Sequence, residues 1–325
     1  LNQAEQRLSL RLSLLDFVPL LEEADASEAI RQSVRLAQAA EAWGYERFWV
    51  TEHHDMPHLV STNTEVMLAH IGAHTQRIRL GAGALLLPYY RPFKAAEAFH
   101  LLAAMYPDRV DLGIGRAPGG NAHASMALSE TYLEQVRRMP ALLDDLADLL
   151  ANRYRIEGEP VTARPVPPVP PQLWLLGTNA KSAQYAAERG TGYVFGQFMS
   201  AEDGKAVLAS YRERFRPSEL QAKPRTIVAV GVVCAATREA AETAGAEGVR
   251  LAFGEQAEGA RFAASGEDPA ASERKFVRGT PQDVKRRLLE LQAEWQADEL
   301  MLVTVTGTYG QRLESFRLIA EAFAT

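Results

Sequence analysis

The chain has 325 residues, a formal net charge of −6 and 47% hydrophobic residues. That acidic balance excludes the basic footprint of a nucleic-acid or anionic-membrane binder, and the apolar content suits a large buried core rather than disorder. Cys234 is the sole cysteine, so an internal disulfide framework or cysteine-ligated zinc is ruled out and a reducing, cytoplasmic setting is expected. No leader-like segment is expected either. The apolar stretch Leu8–Leu21 is broken by Arg11 and Asp16, and nothing reaches the roughly 20 apolar residues of a membrane span.

Taken in chain order, short apolar runs alternate with helical stretches. Leu8–Phe17 predicts a strand, and Ser27–Trp43 a helix with Ser27 as N-cap and Gly44 past its end. Tyr45–Glu52 is a strand, Thr62–Thr75 a helix, Arg77–Leu87 a strand, and Pro92–Tyr106 a helix opening on proline. Arg109–Gly113 follows as a strand and Ser129–Leu150 as one long amphipathic helix. In the second half, strands are expected at Gln172–Leu176, Tyr193–Gly196, Arg225–Ala235 and Glu299–Val305. The helices between and after them are Ala180–Arg189, Glu202–Phe215, Glu239–Leu251, Thr280–Trp295 and Gln311–Phe323. Thr280 caps its helix, Pro281 takes the first position and Asp283 complements the dipole.

About eight β/α units result, with strand runs apolar on both faces, as parallel strands are. Count and length point to a single α/β domain over residues 1–325, a closed (β/α)8 TIM barrel rather than an open doubly wound sheet. Two segments depart from the rhythm. Arg153–Pro171 is proline-rich and predicts a stiff extended connector. Phe253–Gly279 lacks periodicity and predicts a long functional loop before the last β/α unit.

A barrel of this kind places its chemistry at the strand C-termini. Glu52-His53-His54, Gly81-Ala82-Gly83-Ala84, Gly113-Ile114-Gly115-Arg116 and Gly177-Thr178-Asn179 stand at successive strand ends, with Ser182 one turn into the next helix. The Gly177–Ser182 exit reads as an anion site, with Arg116 as a fixed positive charge; simple N-capping by Asn179 is the plainer alternative. The 113–119 run is neither a dinucleotide fingerprint nor a Walker loop. One of His53 and His54 is expected to face the mouth as a proton donor or acceptor, against an ordinary structural histidine. His70 and His74 have zinc-like spacing but no third ligand, so no metal is expected. Cys234 reads as packing.

The run Ala40-Glu41-x-x-Gly44-Tyr45 to Trp49-Val50-x-Glu52-His53-His54 resembles the second β/α unit of the bacterial luciferase-like flavin monooxygenases, short single-chain members above all. Thr75-x-Arg77-Ile78-x-Leu80-Gly81, Arg109 to Gly119, Trp174 to Ala183 and Val277-x-Gly279-Thr280-Pro281 are similar too, in the same order. The resemblance implies an FMN-dependent monooxygenase that takes reduced flavin from a separate reductase and uses O2 on a small apolar or aromatic substrate. His53 would be its catalytic histidine. Gly83 and Ala84, joined by a non-proline cis peptide, would floor the flavin ring; Arg116, Thr178, Asn179 and Ser182, with Gly177 beside them, would hold its phosphate. Residues 253–279 would be the mobile active-site loop, and the protein a homodimer. The same barrel also serves F420-dependent dehydrogenases and non-catalytic flavin binders. Thr178-Asn179 where the family often has two serines, and Tyr106-Pro107-Asp108 before Arg109, are departures from its pattern.

Overall fold

The computed structural model describes residues 8–253 and 276–325. Eight strands carry the architecture: β1 (Leu12–Asp16), β2 (Arg47–Val50), β3 (Arg79–Leu86), β4 (Val110–Gly115), β5 (Gln172–Gly177), β6 (Gly192–Gly196), β7 (Thr226–Cys234) and β8 (Glu299–Val303). Each pairs in parallel with its neighbour, from Asp16↔Val50 between β1 and β2 to Leu14↔Leu302 between β1 and β8, so the sheet closes on itself. The expected TIM barrel is the fold.

Alternation along the strands separates two environments. Leu12, Leu14, Phe48, Leu112 and Ile114 face outward into the shell beneath the helices. Leu15, Trp49, Trp174, Ile227 and Met301 fill the barrel interior. Trp49 fits there because its neighbours on β3 and β4 lack side chains: a Cβ on Gly81 would lie 2.2 Å from the indole Nε1, and one on Gly113 3.1 Å from the indole Cζ3. At the N-terminal end of the barrel the interior turns ionic. Arg47 pairs with Asp111 at 2.7 Å and Glu299 at 2.9 Å, Arg79 pairs with Asp111 at 2.7 Å, and Trp49 Nε1–H donates to Asp111 at 3.0 Å.

Local signals place most helix ends. Thr280 and Asp283 form a reciprocal capping box on Pro281–Trp295. Four expectations need correction. The first strand is Leu12–Asp16, shorter than Leu8–Phe17. The first helix starts at Ala26, with Asp25 rather than Ser27 as cap; the Asp25 carboxylate accepts from Glu28 N–H. The long helix expected over 129–150 is two pieces, Tyr132–Arg137 and Met139–Leu150, preceded by a separate short helix, Ala122–Leu128. The last break falls before Pro140, whose ring cannot follow an uninterrupted helical turn. The connector before β5 is not wholly extended, since Arg155–Ile156 and Glu159–Pro160 form a small hairpin.

Within the 253–279 segment, Val277–Gly279 pairs in parallel with β7 outside the barrel order, a strand the composition did not announce. The rest of the expected loop, residues 254–275, lies outside the described residues. Among the described residues, no helix is long and apolar enough to cross a membrane, and no group of three His, Cys, Asp or Glu side chains is arranged to hold a metal ion.

Candidate active site

The strand C-termini bring the predicted residues to one rim. β2 ends at Val50, so His53 and His54 sit in the loop beyond it rather than on the strand. Their side chains still part company. His53 Nδ1 lies 3.0 Å from Thr51 Oγ1 and its ring stacks on Phe17, with centroids 5.4 Å apart. His54 Nε2 lies 2.9 Å from Glu52 Oε1, and its ring meets Tyr89 edge-on. Burial, reinforced by the neighbouring His54, lowers His53 to about 4. Its imidazole is therefore neutral near pH 7, able to accept a proton or a hydrogen bond but not stocked with a spare proton.

Beside His53 the rim is apolar at Phe17, which, with Leu176 and Val305, is partly buried and packs against the interior cluster that includes Val303, Phe198 and Phe276. On the β3 side, the Gly83–Ala84 peptide is cis, and both residues are buried.

The residues expected to bind an anion lie across β4 and β5. Ile114 pairs with Leu175, so two residues further on Arg116 and Gly177 leave their strands side by side. Arg116 is exposed, its carbonyl accepts from the Tyr132 hydroxyl at 2.9 Å, and it has no ion-pair partner among the described residues. Asn179 caps the Ala180–Arg189 helix by accepting from Ser182 N–H at 3.0 Å. The Ser182 hydroxyl donates back to the Asn179 carbonyl at 2.7 Å and contacts the Tyr193 hydroxyl at 2.9 Å. The plainer expectation, capping by Asn179, is met, and the cap holds the Ser182 hydroxyl inside the turn. Gly177 is required by that turn as well, because a Cβ there would sit 2.0 Å from Ser182 Oγ.

A residue that sequence reasoning missed stands at the same helix end. The exposed Glu202 carboxylate accepts from Ala180 N–H at 2.8 Å. It is a built-in anion resting where the helix presents its positive pole. Only the tertiary fold shows this, since 22 residues separate the two positions. Arg116, the Thr178 hydroxyl and the Asn179 side-chain amide make a donor set that suits a phosphate, beside a helix terminus whose Ala180 N–H already holds a carboxylate.

Comparison with known proteins agrees with this architecture. Residues 11–299 match the family model described as luciferase-like monooxygenase. The protein YwcH of Bacillus subtilis (strain 168) is 40% identical, the alignment covering 96% of this chain and 99% of that one. The structure of apo-MsnO8 superposes with a TM-score of 0.84 at 33% identity, covering 97% of this chain and 98% of the other. The oxygenating constituent of 3,6-diketocamphane monooxygenase from Pseudomonas putida, a type II Baeyer–Villiger monooxygenase solved with FMN, shares the fold. Its TM-score is 0.73 at 18% identity, over 97% of this chain and 98% of that one. Matched over most of its length by this family model, the α/β barrel is that of an oxidoreductase. The chain belongs to the luciferase-like monooxygenase family.

Proposed function

We propose that the protein is an FMN-dependent monooxygenase acting with O2 on a small apolar or aromatic substrate, its reduced flavin delivered by a separate reductase. The observation that carries this reading is Phe17 stacked beside His53 on the same rim as Arg116 and the Asn179-capped helix start, which would take the phosphate. The family is one of monooxygenases, and a relative of the same fold is solved with FMN. When bound, reduced flavin supplies the activation of dioxygen. Arg116, the Thr178 hydroxyl and the Asn179 amide would hold the phosphate, with Gly177 and Ser182 fixing the turn that presents them. Gly83 and Ala84 would lie beneath the ring. Phe17, Leu176 and Val305 keep water from the reacting centre, and the neutral His53 accepts the proton that the chemistry releases.

Titration with FMN and with F420 is expected to show FMN binding at least about tenfold tighter, a difference of roughly 1.4 kcal/mol. Tighter F420 binding, or no oxygen uptake when a flavin reductase and an apolar test substrate are supplied, would sink the proposal. In the working enzyme, His53→Gln is expected to lower kcat by about 10²–10⁴-fold. The histidine-dependent limb of the wild-type rate profile is expected near pH 4, where burial places His53, rather than near its ordinary value of 6.5.

Glu202 supplies a second test. Glu202→Gln removes a negative charge from the helix terminus and is expected to tighten FMN by about two- to fivefold, the range of an exposed charge at a helix end. Riboflavin, which has no phosphate, serves as the control. Equal gains for both flavins would place the phosphate elsewhere.

A further inference from the structure

Two rim segments, the exits of β2 and β3, converge on one carboxylate to which the proposed function gives no role. Glu52 is 3% exposed at the exit of β2. Its Oε2 accepts from Leu86 N–H at 3.0 Å, at the end of the strand that contains the cis Gly83–Ala84 peptide. Its Oε1 accepts from the Tyr90 hydroxyl at 3.1 Å and lies 2.9 Å from His54 Nε2. A carboxylate only accepts, so the histidine nitrogen facing it bears the proton.

His54 is held in place from the other side too. Its backbone N–H donates to the Gly119 carbonyl at 2.9 Å, and a Cβ on Gly120 would lie 2.2 Å from the His54 carbonyl oxygen. The ring's remaining nitrogen, Nδ1, has no hydrogen-bond partner among the described residues. His53 differs in kind. Its Nδ1 meets a threonine hydroxyl, which both donates and accepts and so dictates no tautomer.

We infer that Glu52 is a positioning residue that locks His54 in its Nε2–H tautomer and leaves Nδ1 as a second proton-accepting atom in the loop after β2. The logic is that of a carboxylate orienting an imidazole through one nitrogen so that the other can work. The tautomer itself needs no cofactor; its use in turnover rests on the flavin reading above.

The experiment is ¹⁵N-histidine NMR on the full-length protein, followed by reductase-coupled turnover. Wild-type His54 is expected to carry its proton on Nε2; a proton on Nδ1 overturns the inference before any variant is made. In Glu52→Gln the carboxamide oxygen must face Leu86 N–H, because its NH2 there would oppose another donor. The NH2 then points at His54 Nε2 and drives the ring to the Nδ1–H form. Tyr90→Phe loosens the same carboxylate without touching His54 and is expected to leave the tautomer as it was.

Turnover of Glu52→Gln is expected to fall about 10–100-fold in kcat, with FMN affinity nearly unchanged. A tautomer unmoved in Glu52→Gln overturns the inference, and a switched tautomer with unchanged kcat overturns its catalytic part. Failure of the wild type to bind FMN would instead remove the flavin reading and leave the tautomer result standing.

Discussion

Arg47→Met is expected to destabilise the folded protein by about 3–5 kcal/mol, the cost of leaving buried charge without its partner. The Arg47 guanidinium is 1% exposed and is shared by Asp111 and Glu299, whose side chains are 0% and 1% exposed. Methionine approximates the volume but cannot balance Glu299, which would keep only the Ser13 hydroxyl as a side-chain hydrogen-bond donor among the described residues. Arg79→Met removes a more solvent-reachable partner of Asp111, 13% exposed, and is expected to lose less. Thermal melting of the two variants beside the wild type checks the order. Equal melting temperatures for wild type and Arg47→Met would show that the ionic layer contributes nothing net.

The same layer sets an acid limit. Burial alone would raise the Asp111 carboxyl, but Arg47 and Arg79 outweigh it and hold the group below its ordinary value of 3.8. A carboxyl depressed in the folded state contributes stability that is fully present above its unfolded value of about 3.9 and is lost as the pH falls through the folded one. Asp111's share of the stability is therefore expected to be intact at pH 5–8 and to fade below about pH 4.

The second large effect is on binding. Arg116→Ala is expected to weaken FMN by about 10–100-fold, the worth of a charge-assisted hydrogen bond of roughly 1.5–3 kcal/mol. Because Arg116 is exposed and pairs with no carboxylate among the described residues, the melting temperature of the flavin-free variant should match the wild type. Lys at this position restores the charge but not the planar fork, and is expected to recover only part of the affinity. Fluorescence quenching of FMN by added protein measures all three. An affinity unchanged in Arg116→Ala would exclude this residue from the phosphate site.

Much of the candidate site was legible because it sits in contiguous runs. Glu52-His53-His54 and Gly177-Thr178-Asn179 fall directly after apolar strands, and in a parallel barrel every strand exit opens on the same rim. Two assignments were incomplete for a shared reason. The hydroxyl of Ser182 looked available in sequence but is turned back onto Asn179, and the Ala180 N–H looked open but is met by Glu202. Which donors remain free depends on what else has already reached them.

By itself the sequence determined whatever depends on neighbours a few residues apart. Period and run length determined the alternation of strands and helices, the Thr280–Asp283 box set one helix start, and Pro140 carried the signal for a break that amphipathic periodicity concealed. Tertiary structure alone decided which charged groups share a buried layer. Arg47 meets Asp111 across 64 positions and Glu299 across 252, and nothing in the local run around any of them marks the others as partners. It also decided that Glu52 faces inward to Leu86 and Tyr90. The physical reason is that hydrogen bonding and burial over short spans are set by backbone geometry, whereas the pairing of distant charges is settled only when barrel closure brings β2, β4 and β8 around one interior.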